Sequence, residues 1–108
     1  MTEHRKSLRT IFRTPTTVSM ATEQTHIARS YDLGIGGMCV ITMVRLEIDD
    51  RCSVGFSIPV NNGNTRVSIL ARIAYSIPCA EGFKNGLQFT DIDADNAALL
   101  NRYLADQH

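Results

Sequence analysis

Two arginines four residues apart, Arg5 and Arg9, stand near the start of this 108-residue chain, within the run Glu3-His4-Arg5-Lys6-Ser7-Leu8-Arg9. A guanidinium is planar, permanently charged and forked, so a pair at this spacing suits a phosphate or the edge of a guanine. A second stretch with chemistry is Asp32-Leu33-Gly34-Ile35-Gly36-Gly37. Its glycines permit positive φ and let backbone N–H groups approach a ligand without side-chain obstruction, and the Asp32 carboxylate adds an acceptor. Arm and turn together predict a grip that closes on one anionic ligand.

Charge supports a local grip over a coated surface. The formal net charge is zero, yet the first thirteen residues hold Arg5, Lys6, Arg9 and Arg13 against Glu3, leaving +3 there and −3 on the remaining 95. That asymmetry does not suit a protein made for duplex DNA. Single strands need stacking platforms. There is no Trp, and alternation assigns Phe56, Phe89 and Tyr75 to the core, leaving Phe12, Tyr31 and Phe83 as scattered exposed rings. Neither DNA nor RNA is expected as a partner.

Catalysis would need a nucleophile with a base, a carboxylate pair in a cleft, or a metal, and candidates are thin. Cys39, Cys52 and Cys79 lack C-x-x-C spacing, and His4, His26 and His108 are scattered, so no metal site is expected. Cys39 and Cys52 sit in apolar runs as small hydrophobes. The triplet Asp91, Asp93, Asp95 fails the calcium-loop register, which places Asn96 at its sixth position and Arg102 at its twelfth. It suits the positive end of a helix dipole instead. The glycines of residues 34–37 break the G-x-G-x-x-G register and lead into a strand. The sequence therefore predicts no enzyme and no cofactor. Reduced thiols, with neither a signal peptide nor an apolar run long enough to span a bilayer, predict a soluble cytoplasmic protein without membrane insertion.

The elements that position these residues follow from periodicity. Residues 1–15 read as a flexible basic arm, with Pro15 opposing a long helix, and residues 16–108 as one domain. Strands are predicted over 16–20, 25–33, 37–43 and 52–60, with Asn61-Asn62-Gly63-Asn64 as a hairpin turn. A long fifth strand places Val67, Ile69, Ala71, Ile73, Tyr75 and Ile77 on one face and stops at Pro78. A turn over 79–85 leads to a sixth strand, 86–90, with Leu87 and Phe89 inward. A helix then runs to about Ala105, with Ile92, Leu99, Leu100, Tyr103 and Leu104 on its apolar side. Six strands and one closing helix predict an all-β domain, a small antiparallel barrel or sandwich.

With both motifs in place, the arm resembles the R-x-x-x-R segment of PilZ domains, and residues 32–37 resemble their (D/N)-x-S-x-x-G turn. Gly86-Leu87-Gln88-Phe89, the Asp-rich turn and Leu99-Leu100-Asn101-Arg102-Tyr103-Leu104 are similar to the last strand and closing helix of that family. The resemblance implies a PilZ-like split barrel of six antiparallel strands that holds cyclic di-GMP on its outside. Arg5 and Arg9 would meet phosphate and guanine, and Asp32 would accept from guanine. Gly34, Gly36 and Gly37 would allow close approach, with His4 and Lys6 as additional contacts. It implies a receptor and adaptor that changes conformation on binding and signals to an effector protein in motility, pilus or exopolysaccharide and biofilm control. Where the family motif has serine, this chain has Gly34. Losing one hydroxyl contact weakens binding by about two- to tenfold. The competing reading is a PilZ-like protein-interaction module that binds no nucleotide.

Overall fold

Alternating polarity builds most of the sheet. The computed structural model describes residues 9–107, which form β1 (Arg9–Ile11), β2 (Pro15–Met20), β3 (Thr25–Gly34), β4 (Gly37–Thr42), β5 (Arg51–Val60), β6 (Gly63–Cys79), β7 (Gly82–Asp91) and α1 (Ala94–Asp106). In β5, Cys52, Val54, Phe56 and Ile58 are buried while Ser53 and Ser57 are half-exposed, the period of two that a strand with one covered face requires. A two-residue loop, Asn61 and Asn62, joins β5 to β6, and Asn61 takes φ 54° as tight hairpins require.

All pairings are antiparallel, in the order β1-β3-β2-β5-β6-β7-β4, and β3 also pairs with β4. Strands β2 to β7 therefore close into a hydrogen-bonded ring, with side chains such as Leu33, Met38, Phe56, Ile69, Ile73 and Leu87 filling its interior. The all-β class with a C-terminal helix is as the sequence predicts, but the strand count is seven. The additional strand is β1, which lies before the boundary drawn at residue 15. It pairs with the end of β3, Arg9 opposite Gly34 and Ile11 opposite Asp32.

Phe12 explains why this segment stays in place. Its ring is buried and packs edge-on against Phe56 and Tyr103, both at 5.6 Å between centroids. Burial of such a side chain contributes about 2 to 3 kcal/mol. Ser30 then clamps the crossover, its hydroxyl donating to the Phe12 carbonyl and accepting from Thr14 N–H at 2.9 Å. Phe12, expected among the exposed rings, is buried because the pairing of β1 with β3 carries the chain across the end of the ring.

The other differences trace to bulges and turns. Ile73 pairs with Leu87 and Tyr75 with Gly86, so Ala74 is an extra residue in β6. The bulge shifts the alternation, turning Ser76 inward and exposing Tyr75 and Ile77. Beyond Arg72, β6 no longer pairs with β5, and Pro78 is tolerated there within the strand. The following turn contains only Ala80 and Glu81. Gly82, at φ 138°, starts β7, and a Cβ on it would stand 2.3 Å from the Thr42 carbonyl oxygen. Asn85, read as a turn residue, is buried within β7 and donates to Thr42 Oγ1 at 2.8 Å.

The helix covers one end of the ring with Leu100 and Leu104. Asp93 caps it, accepting from Asn96 N–H at 2.8 Å, and Asn96 Nδ2 donates to the Ser68 carbonyl at 3.2 Å. Among the described residues no helix is long and apolar enough to cross a membrane.

Candidate ligand-binding groove

Three adjacent strands bring the sequence-predicted residues to one outer surface. β3 carries a bulge between Ser30 and Asp32 as it pairs with β4, so that Asp32 stands opposite Cys39. The Asp32 carboxylate, about a quarter exposed, accepts from the Cys39 backbone N–H at 3.1 Å through Oδ1. The same oxygen accepts from Arg9 Nη1 at 3.1 Å. The cation from β1 and the acid from β3 are thus held together, with the Arg9 side chain still half-exposed.

Beside this pair lies an open groove of about 360 Å³, lined by Arg9, Gly34, Gly36, Gly37, Tyr75 and Gln88, among others. Ile35 and Gly36 form the two-residue connection between β3 and β4. The glycines serve different ends. A Cβ on Gly37 would stand 2.2 Å from the Leu87 carbonyl oxygen, so close strand approach demands glycine there. A Cβ on Gly36 would meet nothing within 4 Å. Neither takes positive φ, which among the described glycines occurs at Gly82. The conformational freedom expected of this turn is therefore not used; what Gly36 provides is open space in front of its backbone.

Tyr75 and Gln88 were not singled out from the sequence. The bulge at Ala74 turns Tyr75 outward, and its ring lies across Gly86, where a Cβ would fall 2.2 Å from a ring carbon. An aromatic opposite a glycine is the signal that register knowledge would have supplied. Gln88 accepts from Arg72, whose guanidinium also pairs with Asp49. Tyr75 Oη approaches Cys39 Sγ at 3.9 Å. Burial raises the Cys39 thiol above its usual range, and burial, then the neighbouring thiol, does the same to the Tyr75 phenol. Both stay protonated at neutral pH, so the groove presents no thiolate nucleophile. No cluster of His, Cys, Asp or Glu able to hold a metal occurs among the described residues. Arg5, His4 and Lys6 lie outside the described residues.

A closed antiparallel ring, capped by a helix and carrying an arginine–aspartate pair beside an external glycine-lined groove, defines a small β domain with its polar grip on the outside. The chain belongs to the PilZ domain family, whose model matches residues 3–106. Its fold is similar to that of the Bacillus subtilis inhibitor of motility MotI/DgrA, with TM-score 0.82 and 16% identity over 92% of this chain and 48% of that one. It is also similar to the PilZ domain of Escherichia coli YcgR with c-di-GMP (TM-score 0.63, 14% identity, 93% of this chain and 88% of that one). Borreliella burgdorferi PlzA in complex with c-di-GMP gives TM-score 0.57 and 16% identity over 96% of this chain and 38% of that one. The chain thus spans about half of MotI/DgrA and less of PlzA. No curated protein matches the sequence.

Proposed function

We propose that the chain is a cyclic di-GMP receptor and adaptor that performs no catalysis and passes ligand binding on to a protein partner. The observation that carries this reading is the Arg9–Asp32 pair at 3.1 Å beside a groove with open space in front of Gly36. An exposed ion pair is held weakly. A ligand that offers phosphate to Arg9 and guanine N–H donors to Asp32 satisfies both partners after separating them. Arg5 supplies the second guanidinium from the arm, with His4 and Lys6 beside it. Gly36 leaves the turn open to the nucleotide, Gly34 and Gly37 line the groove beside it, and the half-exposed Tyr75 ring offers a surface for a base.

Exchange of the internal pair for ligand contacts couples occupancy to the position of β1. Such coupling shifts a conformational equilibrium only by the ligand's difference in affinity for the two states. The output is a cytoplasmic effector in motility, pilus or exopolysaccharide and biofilm control, supported by family membership and by the motility role in the name of MotI/DgrA.

Gly34 in place of the motif serine favours a second reading, a domain that binds partners without nucleotide. Isothermal titration with cyclic di-GMP, against GTP and cyclic di-AMP, separates the two. Selective binding at micromolar or lower concentration supports the receptor, and no heat at high ligand concentration supports the interaction module.

A further inference from the structure

Beside the nucleotide groove, the outer face of β3, β4 and β7 carries a second feature that the receptor reading does not use. Arg29 pairs across the strands with Ile41, and Ile41 with Lys84, which places two cations on either side of an aliphatic residue in one row. Arg13, from the crossover between β1 and β2, adds a third. Its guanidinium lies 5.2 Å from the Tyr31 ring centroid, and Lys84 Nζ lies 4.9 Å from the same centroid. Tyr31 is the bulged residue next to Asp32. None of the three cations has a salt bridge among the described residues, where the pairs found are Arg9–Asp32 and Arg72–Asp49.

Two hollows mark this face. One, of about 170 Å³, is lined by the three cations and Tyr31, and the other, of about 260 Å³, by Ile27 and Met43. Arg29, Ile41 and Glu81 line both, so the two are continuous. Ile27 is 75% and Met43 80% exposed, more than any other large apolar side chains described. Three cations against the single carboxylate of Glu81, beside unusually exposed aliphatic groups, leave a net positive face complementary to carboxylates beside aliphatic groups.

We infer that this face is the docking surface for a protein partner, recognised through a segment that presents Asp or Glu next to Leu, Ile, Val or Met. The inference deepens the adaptor reading by giving its partner a chemistry, but it does not depend on nucleotide binding. Nucleic acid finds too much aliphatic surface here. A membrane would be met by protruding loops, whereas these are hollows on strand faces of a size to take single side chains. The bulge sets Tyr31 of the docking face directly next to Asp32 of the Arg9 pair, so the two surfaces lie side by side and are joined through one segment of β3.

The test uses the whole protein without nucleotide, so that its failure is distinct from failure of the receptor reading. Random peptides displayed on phage are selected on it. Recovered sequences are then synthesised and titrated against the wild type, the Arg29→Glu/Lys84→Glu variant, the Met43→Ser variant and an Arg102→Glu control on α1. All these side chains lie at or near the surface, and circular dichroism checks that each variant folds. The inference expects recovered peptides to carry Asp or Glu within two positions of an aliphatic residue. They should bind the charge-reversed variant at least about tenfold more weakly, Met43→Ser more weakly, and the control unchanged. Failure to recover binders, recovered peptides lacking acidic residues, or equal affinity for the charge-reversed variant would overturn it. So would binding to vesicles of equal parts phosphatidylcholine and phosphatidylglycerol that depends on Arg29 and Lys84 while peptide binding does not.

Discussion

Arg9 and Asp32, 23 residues apart in sequence, share one carboxylate oxygen with the Cys39 backbone, the guanidinium and the amide each 3.1 Å from Asp32 Oδ1. One side chain therefore ties β4 to β1, and in the proposed receptor the same side chain meets the ligand. Because Arg9 is half-exposed, its pair with Asp32 contributes only about 0 to 1 kcal/mol to stability. Arg9→Ala should leave the melting temperature nearly unchanged while weakening cyclic di-GMP binding roughly ten- to hundredfold, the worth of a charge-assisted contact. Asp32→Ala should weaken binding too, and should also lower the melting temperature because Cys39 N–H loses its acceptor. Thermal melts alongside calorimetry separate the two effects.

The turn glycines give a sharper contrast. Gly36→Ala places a methyl in open space and should leave the melting temperature unchanged, whereas Gly37→Ala drives a methyl to 2.2 Å from the Leu87 carbonyl and should destabilise the β4–β7 pairing by about 1 to 3 kcal/mol. If the ligand approaches the Gly36 backbone, Gly36→Ala weakens binding in a fully stable protein. Unchanged affinity would remove that approach from the account.

In the receptor reading, Phe12 ties ligand affinity to the core. Phe12→Ala should cost about 3 kcal/mol in a urea melt, because the ring is buried between Phe56 and Tyr103. The same change frees β1 from its anchor, so affinity for cyclic di-GMP should fall at a temperature where the variant is still folded. Arg9→Ala, by contrast, lowers affinity without the stability loss.

Alkaline pH provides a test that is independent of ligand. Burial, with Asp50 a lesser cause, pushes the Cys52 thiol from the usual value of 9.0 up to about 11. Between those values the unfolded chain releases its proton before the folded one does, so stability is retained below pH 9 and declines as pH rises toward 11. Urea midpoints measured across that window should fall, and the decline should be shallower in Cys52→Ala, whatever its stability at neutral pH.

Part of the candidate site is legible because its residues advertise their chemistry. Arg9, Asp32 and the glycines of the turn stand out by type and spacing, and alternation found the buried faces of β5 and of β6 as far as Ile73. What escaped reading were single-residue insertions. The bulge at Ala74 reverses the faces of Tyr75 and Ile77, and no local composition marks it. β1 is three residues long, too short for any period, and its pairing with β3 is a long-range event. Asn85 resembles a turn residue, yet its amide satisfies Val40 and Thr42 inside the ring.

The central claim is that cyclic di-GMP occupies the groove beside Arg9 and Asp32, and amide-resolved NMR during titration tests it most directly. The account predicts that the largest shifts fall on Arg9, Asp32, the residues of the Gly34 to Gly37 turn, Tyr75 and Gln88, and that Arg9→Ala suppresses them. Shifts confined to another face, or a spectrum unmoved by excess nucleotide, would contradict it.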